Sequence, residues 1–395
     1  MSDKGSASIA LSFVEGVKMK VVVAIDSFKG CLSSYEAGMA IKEGILEYDS
    51  QIDTYVYPVA DGGEGTVEAL LSLKGAKNVK ARVKDLLGRD ITCTYAVLED
   101  KTAVIEMSSA AGLPLLEKEE RNPESTSTYG VGQLIKHAIE GGSRELIIGI
   151  GGSGTNDGGT GMLTALGVKF LDKSGKDIPW GAGGLSQLEK IDISGIYPKI
   201  KECKISVACD VKNPLCGKDG ASYVYGPQKG ADPQMVQRLD GYLYDFGTKT
   251  REIIKDADIN KEGAGAAGGL GFGLMAYLGA ELKAGAPLVL DKVGAEEKIK
   301  DCDLVITGEG RLDGQSKNGK TPVGVSNIAK KYNKYVIALA GSLGDGADTL
   351  SPFFDKCYGI NGQVFDLNEA MKPENARKNL KKTIKEALSI LRKED

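Results

Sequence analysis

Apolar runs of strand length alternate with helix-period segments along much of this chain. The first run, residues 21–25, precedes a helix that begins at Ser34, and a second run follows at residues 55–59. This alternation is typical of α/β folds with a largely parallel sheet. Both runs are followed closely by an aspartate, Asp26 and Asp61. Because ligands bind outside the carboxyl ends of the strands in such sheets, we expect functional residues there.

The strand pattern changes in the middle of the chain and returns near its end. Three segments alternate apolar and polar residues like an antiparallel meander: residues 79–83, 90–98 and 102–107. The alternation of strands and helices then resumes with a strand at 304–307, a helix from about 322, a strand at 335–339 and a helix at 376–391. A switch of this kind usually marks a change of domain.

The pattern predicts an α/β protein of two domains. Residues 19–78 and 295–395 form a doubly wound, Rossmann-like parallel-sheet domain, and residues 79–294 form a second, inserted α/β domain. Since ligand sites favour clefts between domains, we expect the active site in the cleft between these two. Residues 1–18 are polar and irregular and lack a small-residue cleavage site, so we interpret them as a tag or disordered extension.

Charge and cysteine content disfavour several classes of protein. The net charge is −4 and the charges are interspersed, which argues against nucleic-acid binding. No apolar run approaches the roughly 20 residues that span a bilayer, so no membrane partner is expected. The seven cysteines lack CxxC spacing, which indicates reduced thiols in the cytoplasm rather than disulfides or a zinc site.

Residues 314–321 spell G-x-x-x-x-G-K-T, the pattern of a phosphate-binding P-loop. A P-loop should follow its strand at once, whereas residues 308–313 separate this motif from the predicted strand at 304–307. We therefore disfavour a P-loop here. Pro322 fits the start of an ordinary helix.

Residues 149–154 spell G-x-G-x-x-G, the dinucleotide-binding fingerprint. The motif follows the predicted strand at 146–150, and Asp172 lies near the position at which an acidic residue binds a ribose hydroxyl. The glycines within residues 158–161 make a weak first helical turn, so we keep this interpretation as an alternative only. A third match, residues 263–268, follows polar sequence rather than a strand and is weaker.

The single histidine, His137, lies in the predicted helix at residues 130–140. We interpret it as a surface or half-buried helix residue. The absence of a second histidine disfavours histidine-based dehydrogenase or hydrolase chemistry.

Several segments, taken in order, resemble the bacterial type-1 glycerate kinase family. They are residues 26–34 (DSFKGCLSS), 60–66 (ADGGEGT), 152–159 (GSGTNDGG), 263–273 (GAGAAGGLGFG) and 307–316 (TGEGRLDGQS), followed by Gly319 and Lys320. The resemblance extends from Met19 to the last helix, although Cys31 stands where the family more often has serine. It implies the type-1 glycerate kinase fold and phosphorylation of D-glycerate with ATP and Mg²⁺, giving 2-phosphoglycerate in preference to 3-phosphoglycerate.

The residues at the strand ends suit phosphoryl transfer. This chemistry needs cations around the moving phosphate, a metal held by carboxylates, and a base for the attacking hydroxyl. A small carboxylate substrate also needs an arginine or lysine anchor. Our candidate residues are Asp61, Asp313 and Lys29 for catalysis; Arg311, Lys29 and Glu64 for substrate binding; and Asp61, Asp157 and Asp313 for the metal. Asp210, which follows a strand at residues 205–209, has no assigned role.

Glycine-rich loops supply the candidate site for the ATP phosphates, because glycine lets backbone amides approach a ligand closely. The candidate residues are Gly152, Ser153, Gly154, Thr155, Asn156, Gly265 and Gly268. For every carboxylate named above the competing interpretation is a helix cap or turn, where aspartate before glycine is common.

Two alternatives remain from the sequence. One is an NAD(P)-dependent oxidoreductase of a small hydroxy-acid that uses the motif at residues 149–154. The other is a carboxylate-binding sensor without turnover, which the several strand-end carboxylates disfavour because they repel an anion unless a metal is present. The choice between a monomer and a homodimer stays open.

Overall fold

The structure is a computed structural model that describes residues 18–318, 320–362 and 366–394. It confirms the predicted α/β class. The predicted N-terminal extension lies outside the described residues apart from Lys18, and so does Gly319 of the glycine motifs.

Strands and helices alternate along most of the described chain. The strands are β1 (Lys20–Ile25), β2 (Asp53–Pro58), β3 (Lys77–Lys84), β4 (Asp90–Val97), β5 (Ala103–Glu106), β6 (Glu145–Gly149), β7 (Lys169–Leu171), β8 (Lys190–Asp192), β9 (Lys204–Ala208), β10 (Glu281–Lys283), β11 (Leu304–Leu312), β12 (Tyr335–Leu343) and β13 (Lys356–Gly359). The α-helices are α1 (Ser34–Tyr48), α2 (Thr66–Leu71), α3 (Ser108–Ala111), α4 (Tyr129–Glu140), α5 (Thr160–Ala165), α6 (Ala221–Tyr225), α7 (Pro233–Ile253), α8 (Ala266–Leu278), α9 (Gly285–Lys292), α10 (Ala295–Asp301), α11 (Thr321–Lys331), α12 (Leu367–Ala370) and α13 (Pro373–Glu394). None of these helices is long and apolar enough to cross a membrane.

The described chain divides into two compact units. The first contains the described parts of residues 1–60 and 286–395, and the second contains residues 61–285. The predicted borders, at 78/79 and 294/295, follow the change in strand pattern. Both structural borders, at 60/61 and 285/286, lie earlier. The first does so because helix α2 packs against β4 and β5 of the second unit.

The sheet of the first unit contains five parallel strands in the order β2-β1-β11-β12-β13. Numbered along this unit alone, the order is 2-1-3-4-5, the doubly wound order whose ligand site lies where the strand order reverses. That point is between β1 and β11, which pair in parallel from Val21 with Leu304 to Val23 with Ile306. Helices α1 and α13 pack together over an apolar core that includes Ile41 and Leu380.

Strand β11 is longer than predicted. The sequence indicates a strand that ends at Thr307, but β11 continues to Leu312, and Arg311 pairs with Ser342 of β12. The glycines after Thr307 suggest a loop, yet Gly308 is required inside the strand by close packing. A Cβ atom at Gly308 would lie 1.8 Å from the carbonyl oxygen of Leu339.

We expect Gly308→Ala to destabilise the protein by about 1–3 kcal/mol, because the added methyl group forces β11 and β12 apart. Urea unfolding followed by circular dichroism measures this change. The matched control is Gly241→Ala on helix α7, where an added Cβ meets nothing within 4 Å; it should stabilise by roughly 0.5–1 kcal/mol. An unchanged unfolding midpoint for Gly308→Ala would contradict the packing argument.

The sheet of the second unit contains six strands in the order β10-β9-β6-β5-β4-β3. Strands β10, β9, β6 and β5 are parallel, whereas β5, β4 and β3 form the predicted antiparallel meander. Strands β7 and β8 form a separate antiparallel pair. The carboxyl ends of the four parallel strands therefore meet at one edge of this sheet.

Candidate active site

The carboxyl edge of the first sheet carries Asp26 at the end of β1. Its carboxylate is buried and accepts hydrogen bonds from the Thr321 hydroxyl at 2.6 Å and from the Ser27 amide at 2.6 Å. Thr321 is the first residue of α11. Asp26 therefore ties the end of β1 to the start of α11 at the point where the strand order reverses.

Three predicted site residues lie at this same edge. The Arg311 side chain is 63% exposed, and its Nε lies 3.3 Å from Asp313 Oδ2. Lys29 is also exposed, and a Cβ on Gly310 of β11 would lie 3.9 Å from the Lys29 backbone nitrogen. An exposed ion pair contributes little to stability. The Arg311 guanidinium can therefore exchange Asp313 for an anionic ligand at low cost.

The longer β11 changes the context of the G-x-x-x-x-G-K-T motif. Because β11 ends at Leu312, only Asp313 separates the strand from Gly314, so the spacing argument against a P-loop is wrong. The side chains nevertheless point elsewhere: Lys320 Nζ lies 3.3 Å from Glu309 Oε2, and Thr321 donates to Asp26. A P-loop directs its lysine at phosphate and its threonine at magnesium. Here Lys320 and Thr321 are instead bound to carboxylates at this edge, which argues against a P-loop.

Two carboxylates lie at the carboxyl edge of the second sheet. Asp210 follows β9, and its Oδ1 accepts a hydrogen bond from the Gly285 amide at 2.9 Å. Burial is the main cause that raises the pKa of Asp210 to about 6; the Gly285 amide opposes this, and the charge of Asp61 adds to it. Asp61 is half-buried and accepts from the Gly63 amide at 2.9 Å. The two carboxylates are therefore close enough to influence each other.

The loop that carries Asp61 is held against this edge by close backbone packing. A Cβ atom on Gly149, the last residue of β6, would lie 2.1 Å from the carbonyl oxygen of Gly62. A Cβ on Gly62 would lie 2.1 Å from Cβ of Ala208, at the end of β9. Glycine at 62 and 149 thus places Asp61 directly beside the ends of β6 and β9.

A cavity of about 530 Å³ opens at this edge, within the second unit. Its polar wall contains two carboxylates, Asp61 and Asp210, and two basic side chains, Arg121 and Lys229. Gly151, Gly152 and Ser153 form another part of the wall. This combination of acidic, basic and glycine-rich surface can hold a metal–phosphate ligand, since phosphate attracts basic groups and a metal attracts carboxylates.

Asp157 lies in the loop between β6 and α5 and is fully buried. Its carboxylate accepts four hydrogen bonds: from the Thr128 amide and hydroxyl at 2.9 Å each, and from the Gly159 and Gly161 amides at 3.1 Å each. Burial raises the pKa of Asp157, and these hydrogen bonds oppose the shift. Asp157 does not line the cavity. Its contacts fit a residue that shapes the loop better than one that holds a metal.

The structure brings part of the predicted phosphate loop to the cavity. Gly152 and Ser153 line it, whereas Gly154, Thr155 and Asn156 do not. The Gly154 amide donates to the Ala111 carbonyl at 2.9 Å, and the Thr155 amide lies 3.2 Å from Ser153 Oγ. The Asn156 side chain donates to Ser222. The amides of Gly154 and Thr155 are thus engaged inside the protein, which narrows the candidate phosphate-binding backbone to residues 151–153.

The two predicted glycines of the later loop also support packing. The Gly265 amide donates to the Asn213 carbonyl at 2.9 Å. A Cβ on Gly268 would lie 2.0 Å from the Thr155 carbonyl oxygen. Their neighbours Ala266 and Ala267 line the cavity instead. Gly268 therefore lets this loop approach the loop of Thr155, Gly265 lets it approach residues 213–214, and neither glycine lines the cavity.

Glu64 is exposed, while a nearby acid that the sequence did not single out, Glu106, is half-buried. Glu106 ends β5, and its Oε1 accepts from the Val67 amide at 2.7 Å, at the start of α2. Burial raises the pKa of Glu106, backbone amides of α2 oppose the shift, and the charge of Glu64 adds to it. Glu106 thus fixes the helix that follows the Asp61 loop.

The dinucleotide interpretation fails on the placement of its acidic residue. Asp172 follows β7, which pairs with β8 and, among the described residues, does not join the sheet of β6. Asp172 is half-exposed and accepts a hydrogen bond from the Ser174 amide at 2.8 Å in a turn. In a dinucleotide fold this acid ends a strand next to the motif strand.

His137, as predicted, is a helix surface residue, and its Nδ1 lies 2.9 Å from the Tyr95 hydroxyl.

The carboxylates at the carboxyl edge of the second sheet are enough for Mg²⁺ only if a phosphate ligand and water complete its coordination. No group of three or more His, Cys, Asp or Glu side chains in the described part of the chain could hold a metal ion alone. Mg²⁺, however, is commonly bound by one or two carboxylates together with substrate phosphates and water. Asp61 and Asp210 supply two carboxylates on one cavity wall.

Comparisons with known proteins agree with these features. The sequence model of the glycerate kinase family matches residues 21–392. Glycerate 2-kinase of Escherichia coli K12 is 47% identical over 360 residues, which cover 90% of this chain and 93% of that protein. Glycerate kinase of Bacillus subtilis 168 is 43% identical over 376 residues, which cover 95% and 98% of the two chains.

A solved structure shares the fold. The crystal structure of a proposed glycerate kinase 2 from Salmonella typhimurium LT2 matches with a TM-score of 0.86 and 43% identity, covering 95% of this chain and 99% of that one. The comparisons define an α/β enzyme of the kinase class. The chain belongs to the glycerate kinase family, which confirms the resemblance seen in its motifs.

Proposed function

We propose that this protein transfers the terminal phosphoryl group of ATP to a hydroxyl group of D-glycerate. The hydroxyl oxygen bonds to the γ-phosphorus, the bond from that phosphorus to the bridging oxygen of ADP breaks, and the hydroxyl proton passes to a carboxylate. The cavity of the second unit carries this proposal, because it combines two carboxylates, two basic groups and a glycine-rich backbone. The name of the Escherichia coli relative, glycerate 2-kinase, supports 2-phosphoglycerate as the product.

Arg311, Lys29 and Asp313 of the first unit, together with Glu64 and Asp61 of the second, are proposed to bind the substrate or to accept its proton. Arg311 is exposed and only weakly paired, so its planar guanidinium can accept the glycerate carboxylate through two parallel hydrogen bonds. Lys29, exposed after β1, adds a second positive charge for the carboxylate or the transferring phosphate. Glu64 is the proposed acceptor for a substrate hydroxyl group. Asp313, beside Arg311, and Asp61 are the candidate proton acceptors, a role that needs a carboxylate within hydrogen-bond reach of the hydroxyl.

Residues of the second unit are proposed to bind the metal and the nucleotide. Asp61 and Asp210 would hold Mg²⁺, which would neutralise charge on the ATP phosphates. Backbone groups of residues 151–153 would contact those phosphates. In this assignment Asp210 joins the metal set, and Asp157 leaves it because hydrogen-bond donors already occupy its carboxylate.

Three features stay predictions from the sequence: the location of the active site in a cleft between the domains, the cytoplasmic location, and the oligomeric state as monomer or homodimer.

Phosphorus NMR of a reaction with ATP, Mg²⁺ and D-glycerate tests the proposal. We expect consumption of ATP and one new monoester signal that matches 2-phosphoglycerate. A signal that matches 3-phosphoglycerate would overturn the regiochemistry alone. Phosphorylation of other small hydroxy-acids but not of D-glycerate would overturn the substrate. Thermal stabilisation by NADH and not by ATP would instead favour the alternative function as an NAD(P)-dependent oxidoreductase.

A further inference from the structure

We propose that Arg121 and Lys229 form a phosphate-binding subsite on the wall of the cavity in the second unit. The subsite takes a phosphate group of the nucleotide or of the phosphorylated product. The identity of these ligands rests on the proposed function. Neither residue belongs to a glycine motif or to the family segments of the sequence, and both are brought to the cavity by the fold.

Arg121 presents a hydrogen-bond donor that lacks an acceptor. Its side chain lines the cavity, and its Nε is buried without a hydrogen-bond partner among the described residues. A buried donor of this kind is costly unless a partner arrives from outside the chain. The guanidinium group binds phosphate oxygens through paired hydrogen bonds. A phosphate in the cavity would therefore supply the missing acceptor.

Lys229 presents a buried charge that is only partly compensated. The residue is 2% exposed, and its Nζ contacts the Thr155 carbonyl oxygen at 2.5 Å and Ser153 Oγ at 3.4 Å. Neither partner carries a formal charge. Burial lowers the pKa of Lys229 to about 7 although the charge of Asp157 opposes the shift. A phosphate in the cavity would stabilise the charged form of Lys229.

The two basic residues are held next to each other by the backbone. A Cβ atom on Gly230, which follows Lys229, would lie 2.3 Å from the Arg121 carbonyl oxygen and 3.1 Å from Arg121 Cβ. Gly230 has a φ of +100°, which favours glycine. Lys229 also contacts Ser153, a residue of the cavity loop. The basic pair and the glycine-rich backbone therefore form one continuous wall.

Phosphate fits this wall better than a simple carboxylate. Two cations and the small residues Gly151 and Gly152 suit a ligand with several charged oxygens that approaches the backbone closely. The same cavity contains Asp61 and Asp210, which would repel an anion unless it arrives with a metal. Phosphate esters with Mg²⁺ combine both properties.

Arg121→Gln tests the subsite through binding rather than turnover. Isothermal titration gives the Kd of wild type and variant for Mg·ADP and for 2-phosphoglycerate. The matched control is Arg82→Gln on β3, whose side chain is 79% exposed and is placed in no site. We expect the Arg121 variant to weaken one ligand by about 10–100-fold, as for a lost charge-assisted contact, while the control and the melting temperature stay unchanged.

Comparing Mg·ADP with 2-phosphoglycerate shows whether the subsite binds a phosphate of the nucleotide or of the product. A loss confined to Mg·ADP assigns the subsite to the nucleotide, and a loss confined to 2-phosphoglycerate assigns it to the product. Affinities within twofold of wild type for both ligands would overturn the inference, as would a wild-type protein that binds neither. Lys229→Met is the second variant, and a folded Lys229→Met protein with wild-type affinity for both ligands would also overturn it.

Failure of the subsite and failure of the proposed function give different results. If Arg121→Gln binds both ligands normally and wild type still phosphorylates D-glycerate, only the subsite is wrong. If Arg121→Gln loses Mg·ADP binding but wild type shows no glycerate-dependent ADP release, the subsite stands and the substrate assignment is wrong.

Discussion

Replacing Asp61 by asparagine is expected to lower kcat for glycerate phosphorylation by about 10²–10⁴-fold. Asparagine would keep the size of the side chain but lose the charge that a metal or a proton acceptor requires. Asp61 lines the cavity and lies close enough to Asp210 to raise its pKa. Steady-state ADP release at saturating ATP and D-glycerate measures the effect.

The control for this substitution is Asp245→Asn, an exposed position on α7. Its kcat should equal that of wild type. Asp61 is only half-buried, so both variants should also melt at the wild-type temperature. An Asp61→Asn enzyme with kcat within threefold of wild type would remove Asp61 from both proposed roles.

Replacing Arg311 by alanine is expected to raise KM for D-glycerate by about 10–100-fold, the effect of losing a charge-assisted pair of hydrogen bonds to a carboxylate. The effect on KM for ATP should be small if Arg311 binds the acid alone. Folding should not suffer, because the Arg311–Asp313 ion pair is exposed and contributes little to stability. Initial rates over a range of D-glycerate concentrations give both constants.

Arg311→Lys separates charge from geometry. Lysine keeps the positive charge but cannot form two parallel hydrogen bonds to one carboxylate, so we expect only partial recovery of KM. Arg251→Ala, at an exposed position on α7, serves as the control and should leave KM unchanged. A wild-type KM for glycerate in Arg311→Ala would show that another residue anchors the carboxylate.

The sequence predicts most strands of the two large sheets, though not the short strands β10 and β13, because the signals of the predicted strands are local. Strand β1 is a run of apolar residues that ends at Ile25, and helix α1 begins at Ser34 with Ser33 as its cap. Such signals need only neighbouring residues. The signal that sets the end of β11 is not local. Gly308 looks like a loop residue until Leu339 of the neighbouring strand is seen to exclude a side chain there.

The same contrast between local and long-range signals applies to the residues of the candidate site. Asp61 and Arg311 could be selected as candidates from the sequence because each lies next to glycines at or near a strand end. Lys229 could not, because it ends a short 3₁₀ turn and resembles a surface lysine until the fold buries it. Asp157 is a candidate metal ligand from the sequence, but its partner Thr128 lies 29 residues earlier in the chain. Burial and long-range hydrogen bonds decide the roles of such residues.

The most direct test of the central claim is coupled ADP release by the wild-type protein with ATP and Mg²⁺, with and without D-glycerate. We expect release that depends on D-glycerate, saturates with its concentration and stops when EDTA is added. Release at the same low rate with and without D-glycerate, from protein that is folded and binds ATP, would contradict the assignment of this chain as a glycerate kinase.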